Sequence, residues 1–456
     1  MTPAADTPPR ALVIAAPASG SGKTTITLGL LRAFKNAGVR IASAKSGPDY
    51  IDPAFHAAAT GIPCPTLDAW AMPHAALVSH AHAACRRANA EVLIVEGAMG
   101  VIDGAGRDGR GSTADVAAAL GAPVVLVIDA ARQAQSAVLS ALGLPAARPD
   151  LTLAGVIFNA VASNRHAEML TSSAAQFDIP VLGCVSRNAA LAVPSRHLGL
   201  VQAGEHPSLE TFLNTAASTI AQAVPLDAVR SAAQPLRAVQ VGAAPVDISA
   251  DIITPPLGQV IAVACDAAFA FCYHHMLDGW RAAGARVVLF SPLADEAPAP
   301  DADAVFLPGG YPELHAARLA NAQRFKRGMH AAAARGATVY GECGGYMVLG
   351  DALTDADGNQ HAMLGMLPLA TSFAERRRQL GYRILSPRQG APFTGPLAAH
   401  EFHYATIVDE GSADRLFDAV DANGMACPPM GLRRDRVSGS FTHVIGPAPH
   451  LKPRAA

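Results

Sequence analysis

A two-domain α/β fold is predicted for this chain of 456 residues. Three observations carry the prediction. Short apolar runs alternate with longer alanine-rich segments, the pattern of strands that cross over through helices into a parallel sheet. That rhythm dissolves from about residue 223 to 259 and then restarts. The chain is also longer than one ordinary core accommodates, so two domains joined by the irregular stretch are expected.

Residues 1–10 are rich in Pro and Ala and have no apolar h-region, so they read as a disordered start rather than a signal peptide. The first domain is placed at 11–222, with strands predicted at 12–16, 39–45, 92–96, 124–129, 155–159 and 181–185. A helix is predicted over 25–37: Ile26, Leu30, Leu31 and Phe34 recur at near-helical spacing, and Gly38 stands where a C-terminal cap belongs. Residues 223–259 carry Pro, Ala and Val without clear periodicity and are read as the linker. The second domain, 260–456, opens with strands predicted at 260–264, 287–290, 304–307 and 338–341. No repeat of fixed period is present.

Composition narrows the function. Half of the residues are apolar and 16% are charged, as in a globular protein. A net charge of −2 gives no electrostatic reason to expect nucleic acid. No apolar run approaches the roughly 18 residues of a spanning helix, so no membrane partner is expected. The cluster Arg376, Arg377, Arg378 reads as a small anion site or a solvated face. Seven cysteines without CxxC-type spacing argue against a cysteine-ligated metal and fit a reducing cytoplasm.

Two loops concentrate the chemistry. In the first, Ser19, Gly20, Ser21, Gly22, Lys23, Thr24 and Thr25 follow an apolar strand and open a helix. Small residues let backbone N–H groups converge on phosphates, Lys23 supplies positive charge, and the Thr24 hydroxyl suits Mg²⁺. Pro17 occupies the place of the first glycine in the usual pattern. Further groups fall at strand ends, where ligands gather in parallel sheets: Glu96, Asp49, Asp52 and Lys45, with Asp103 nearby. Glu96 and Asp49 are candidate Mg²⁺ ligands, Lys45 a candidate contact for an anionic substrate, and each alternatively a helix cap or a surface ion pair.

The second loop, Gly341, Glu342, Cys343, Gly344, Gly345, has the form of a sharp elbow that presents a nucleophile between a strand and a helix. The helix dipole is expected to favour the thiolate, and a base is still required. His443 is the first choice, with His400 and His403 as competitors that sequence spacing does not separate. The turn at Gly309 and Gly310, with the amide of Gly344, offers N–H groups for an oxyanion. A phosphate loop and an acyl-transfer cysteine in one chain suggest ATP-driven amide formation with nitrogen drawn from glutamine.

Taken in order, six segments resemble the cobyrinic acid a,c-diamide synthases over nearly the whole chain. They are 19–25, Gly47 to Pro53, Glu96 to Gly100, Arg196 to Leu200, Pro308 to Glu313 and Gly341 to Tyr346. The resemblance implies a dethiobiotin-synthetase-like P-loop domain, a parallel sheet flanked by helices, fused to a flavodoxin-like class I glutamine amidotransferase domain. It implies ATP with Mg²⁺, L-glutamine and a corrinoid as partners, and leaves a homodimer open. It implies nucleotide contacts at Gly20 to Thr25 and Asn159, with Thr24, Asp49 and Glu96 at the metal. It further implies substrate contacts at Lys45, Tyr50, Asp52 and Asp103, and a Cys343–His443 glutaminase pair. Many class I amidotransferases carry His-x-Glu; here Val444 and Ile445 follow His443, so no third member is identifiable. Nickel-sirohydrochlorin diamide synthase and cobyric acid synthase share this plan. A partition-type P-loop ATPase would carry a lysine at Ala18 and lack the cysteine domain, and a dethiobiotin synthetase would end near the linker.

Overall fold

The computed structural model describes residues 8–191, 195–196, 199–200, 202–205, 207–239 and 254–449. They divide into two compact units, 1–244 and 245–456. Most of the predicted disordered start lies outside the described residues, as does part of the segment from Arg196 to Leu200.

In the first unit, seven parallel strands form the sheet: β1 (Arg10–Ala15), β2 (Ile41–Ser46), β3 (Thr66–Leu67), β4 (Val92–Glu96), β5 (Val124–Asp129), β6 (Leu153–Val161) and β7 (Val181–Ser186). Their order is β3-β2-β4-β1-β5-β6-β7. Both faces are covered, so β1 and β4 are almost wholly buried and read as continuous apolar runs. Helix α1 (Lys23–Asn36) turns Ile26, Leu30, Leu31 and Phe34 into the core, where Phe212, Leu213 and Ile220 of a later helix meet them. Gly29 permits that contact, because a Cβ there would lie 2.4 Å from Ile220 Cγ1. Helix α2 (Ile51–Thr60) follows β2 and ends on Gly61, whose φ of 82° is the left-handed conformation a helix stop favours. Adjacency of β1, β2 and β4 brings their carboxyl ends together, with Lys45 opposite Glu96 in register.

The stretch read as linker is in part a folded piece of this unit. Residues Leu226–Ala232 are helical, and β8 (Gln234–Pro235) pairs antiparallel with β1, Arg10 opposite Pro235 and Ala11 opposite Gln234. The Leu236 and Arg237 N–H groups continue this attachment to the carbonyls of Pro9 and Leu120. A helix of two turns and a two-residue strand are too short to leave a periodic signal, which is why the sequence pattern missed them.

The second unit holds a ten-stranded sheet. Its parallel part is β9 (Val260–Ala264), β10 (Arg286–Phe290), β11 (Ala304–Leu307), β12 (Thr338–Glu342) and, late in the chain, β17 (Val437–Ser440). Between β12 and β17 run β13 (Gln379–Pro387), β14 (Leu397–His403), β15 (Asp414–Asp421) and β16 (Ala426–Arg434), and β18 (Thr442–Pro447) closes the chain. The full order is β10-β9-β11-β12-β17-β16-β15-β13-β14-β18, antiparallel from β17 onward. This antiparallel half was not foreseen, because its strands mix exposed and buried positions irregularly and carry bulges.

Helix α3 (Gly344–Leu349) leaves β12 through the elbow and is buried throughout. Its glycines answer a steric demand: a Cβ on Gly345 would stand 2.0 Å from the Leu307 carbonyl oxygen, a backbone atom of β11. Gly345→Ala is therefore expected to force strand and helix apart and to destabilise the second unit by about 1–3 kcal/mol. Chemical denaturation would show this as a lowered midpoint; an unchanged midpoint would disprove the close-contact argument.

Candidate functional sites

At the carboxyl edge of the first sheet, Gly20 and Gly22 have φ of 80° and 90°, left-handed values that glycine adopts without strain. Asn159 closes over the loop: its side-chain amide donates to the Ser21 carbonyl at 3.0 Å, and a Cβ on Gly22 would lie 2.1 Å from that nitrogen. Lys23 Nζ reaches the Met99 carbonyl at 2.5 Å. Burial, then the nearby Lys45, lowers the Lys23 pKa, while Glu96, Asp52 and Asp103 act against that shift. Thr24 Oγ1 donates to Glu96 at 2.6 Å and lies 3.4 Å from Asp52. Thr25 instead donates to the Leu191 carbonyl, tying α1 to its own unit.

Lys45 departs from expectation. It is 3% exposed, 2.5 Å from Asp52, 2.9 Å from Glu96 and 4.0 Å from Asp49, a cation met by three carboxylates of the protein rather than an open strand-end charge. Burial opposes that charge, but the three carboxylates outweigh it and hold Lys45 protonated well above its ordinary range. Glu96 is likewise kept ionised, because Lys45 and His56 overcome the cost of burial. Burial foremost, and then Asp49, pushes Asp52 up to about 7 despite Lys45. Asp49 caps α2 by accepting from the Ile51 and Asp52 amides, Tyr50 stands at the cap position, and Asp103 accepts from the Gly100 amide at 2.9 Å.

Sequence reasoning missed His56, whose Nε2 is 2.5 Å from Glu96 while its Nδ1 is 3.4 Å from Cys64 Sγ. The signal was available, since Asp52 and His56 are one helical turn apart on α2 and so share a face.

In the second unit, Cys343 sits at φ 46° and ψ −104°, a left-handed φ that is strained for a residue with a side chain. The elbow is held by Cys343 N–H to Ser440 O at 2.8 Å and by Met347 N–H to Cys343 O at 3.1 Å. The expected thiolate is not favoured here. Burial, then Glu313, raises the thiol far above its ordinary value, Glu342 and Glu401 adding to the rise against the Gly344 amide. A dipole from a helix as short as α3 does not overcome that.

His443 lies inside β18, directly across from His400. A Cβ on Gly309 would be 2.2 Å from His443 Cε1, 3.0 Å from its Nε2 and 3.3 Å from Cys343 Cβ, so the imidazole and Cys343 close around one backbone carbon. Gly310 belongs to the same turn, its amide 3.0 Å from where a Gly344 Cβ would be. Burial, then His400 and His403, pushes His443 down to about 3, leaving a neutral imidazole that can accept a proton. His403 is otherwise engaged: Nδ1 lies 3.1 Å from the Ala405 carbonyl, Nε2 3.2 Å from Glu401, and the ring stacks on Phe441 at 4.0 Å.

The Nδ1 edge of His443 lies 3.8 Å from Glu342 Oε2, a neighbour that sequence spacing gave no means of finding. Next to this centre is a cavity of about 520 Å³, bordered by Tyr346, Arg377, Arg383, Glu401, His403 and Phe441. Of the three arginines at 376–378, only Arg377 borders it.

Among the described residues, no helix is long and apolar enough to cross a membrane. Two family models match. Residues 12–201 match the CobQ/CobB/MinD/ParA nucleotide binding domain, and residues 260–449 match the CobB/CobQ-like glutamine amidotransferase domain. Three relatives are similar over 95–96% of this chain and 98% of their own. Each is named hydrogenobyrinate a,c-diamide synthase: from Rhizobium meliloti (55% identical), from a Sinorhizobium species (56%) and from Brucella anthropi (54%).

Proposed function

The chain belongs to the hydrogenobyrinate a,c-diamide synthase family, and from that we propose that it amidates the a and c carboxylates of hydrogenobyrinic acid, using ATP and glutamine, in cobalamin biosynthesis. The observation that carries this reading is the pairing, in one chain, of a glycine-cradled Lys23–Thr24 loop with a Cys343–His443 elbow. The relatives' name supports reading the metal-free ring, rather than its cobalt form, as the substrate.

At the first site a carboxylate oxygen of the ring attacks the γ-phosphorus of ATP, giving an acyl phosphate and ADP. Ammonia then adds to the activated carbon and phosphate leaves, so a poor electrophile has been given a good leaving group. Phosphoryl transfer asks the protein mainly for position and charge neutralisation. Backbone amides of Gly20 to Thr24 and the Lys23 ammonium serve the phosphates, and Asn159 serves the nucleotide side of the loop. Lys45 and His56 fix the Asp52 and Glu96 carboxylates in place from below.

Mg²⁺ suits this edge. Thr24 and Glu96 are hydrogen-bonded oxygen donors beside the loop, Asp49 is near, and Mg²⁺ usually takes only one or two protein carboxylates. When bound, it would neutralise developing charge on the phosphates.

At the second site Cys343 attacks the glutamine carboxamide while His443 takes the thiol proton and returns it to the departing ammonia. A thioester remains for water to hydrolyse to glutamate. The Gly310 and Gly344 amides suit the oxyanion, and Gly309 leaves room for the imidazole. Arg377 and Glu401, bordering the cavity, suit the α-carboxylate and α-ammonium of glutamine. The cysteines are all unpaired in the structure, in keeping with a cytoplasmic setting.

Incubation with hydrogenobyrinic acid, ATP, Mg²⁺ and glutamine, followed by mass analysis, tests the reading. Two successive replacements of OH by NH₂ are expected, and an unmodified ring would refute it. The base is tested separately. His443→Ala should cut glutamine hydrolysis by ~10³-fold and His403→Ala by no more than about tenfold; the reverse order would transfer the role to His403.

A further inference from the structure

The glutaminase centre lacks the His-x-Glu pattern, yet a carboxylate faces its histidine from another direction. Glu342 ends β12 immediately before the nucleophile, and it is 1% exposed. Its Oε1 accepts the Val444 backbone N–H at 3.0 Å, which fixes the carboxylate against the strand that carries His443. Its Oε2 is then 3.8 Å from His443 Nδ1, while Cε1 and Nε2 of the same ring would stand 2.2 and 3.0 Å from a Cβ on Gly309, the position that also lies 3.3 Å from Cys343 Cβ. Nδ1 thus faces a carboxylate, while the Cε1–Nε2 side of the ring abuts the same glycine as Cys343.

We propose that Glu342 is the positioning carboxylate of the glutaminase centre, supplied by the residue before the nucleophile rather than by one downstream of the histidine. The proposal rests on the assignment of Cys343 and His443 made above. In the acylation step the Cys343 proton passes to His443 Nε2, the sulfur bonds to the carboxamide carbon, and the imidazolium so formed turns its Nδ1–H toward Glu342. As ammonia leaves, the Nε2 proton goes with it and the neutral ring is restored. Glu342 thus holds the tautomer that leaves Nε2 free to accept, and it opposes a charge present only during reaction.

The surroundings are consistent with such a role. Other titratable groups facing Glu342 are Tyr340 on its own strand, the adjoining Cys343, and Cys272. None of these is a cation, and His443 is the group beside Glu342 that becomes one on taking a proton. Burial pushes the Glu342 carboxyl up to about 8, against hydrogen bonds from Val444 and Tyr340. Its ionised form, the one that supports an imidazolium, is therefore filled as pH rises through that value. Burial, and then His400 and His403, lowers the affinity of His443 for a proton, which increases the need for a carboxylate.

Glu342→Gln tests this, because the amide oxygen can still accept from Val444 while the charge is removed. Glutamine hydrolysis is expected to lose about 10- to 100-fold in kcat with KM within twofold. That is less than the ~10⁴-fold loss when a directly hydrogen-bonded triad carboxylate becomes an amide, since 3.8 Å is an ion-pair distance. The wild-type rise in rate through pH of about 8 should vanish in the variant, and synthesis driven by added ammonia should persist. In a Glu342→Gln/His443→Ala double variant the losses should not add, because one residue acts through the other. Wild-type kcat, an unchanged pH profile, additive losses, or parallel loss of ammonia-driven synthesis would each overturn the proposal. If Cys343→Ser still abolishes hydrolysis in that case, the nucleophile assignment stands without it.

Discussion

Cys343→Ala is expected to abolish glutamine-dependent amidation, by at least ~10³-fold, while ammonia at high concentration still supports full conversion. The split follows from the architecture. Cys343 and its neighbours Gly309, His443 and the α3 helix lie in the second unit. The phosphate loop and its carboxylates lie in the first. Alanine also fits the elbow no worse than cysteine does, because the strained φ of 46° is set by β12 and α3 rather than by the thiol. Product formation would be followed by mass with each nitrogen source in turn. If ammonia failed as well, Cys343 would be a structural residue.

Lys23→Ala is expected to give the complementary phenotype: loss of synthesis with glutamine and with ammonia alike, by about 10²- to 10³-fold, with hydrolysis of glutamine retained. Lys23 opens α1, and its ammonium stands among Glu96, Asp52 and Asp103. Lys45 stays engaged with Asp52 and Glu96, so removing Lys23 leaves the phosphates without the cation that the loop itself supplies. Unimpaired amidation in the variant would discredit the phosphate-loop assignment. Together the two variants locate each half-reaction in its own unit.

Much of this was legible in the residues. The strands of both parallel cores announced themselves because buried strands are uninterrupted apolar runs; 92–96, 124–129, 260–264 and 304–307 match the observed elements residue for residue. The phosphate loop and the elbow were legible for a different reason: each needs glycine at fixed places where the backbone is left-handed or crowded. What depends on contacts distant in sequence was not. Lys45 read as a candidate substrate contact or a surface ion pair at a strand end, and only the meeting of α2 with β4 shows it buried against the carboxylates of Asp52 and Glu96. His443 could not be separated from His403 by spacing, since the difference lies in what each ring touches. Glu342 was hidden for the same reason: its partner is a hundred residues on, and strand pairing between β12 and β17 brings the two together.

The return of the chain at Gln234 and Pro235 alongside the opening residues of β1 bears on how the protein is best divided. A fragment ended at the apparent domain boundary near 222 would forfeit Val229, Ala233 and Leu236 from its interior. It would also uncover the flank of Arg10 and Ala11, the two residues that anchor the strand feeding the phosphate loop. Among the described residues the nucleotide half is still being stitched together at Arg237, and separate expression of the two halves belongs downstream of that residue.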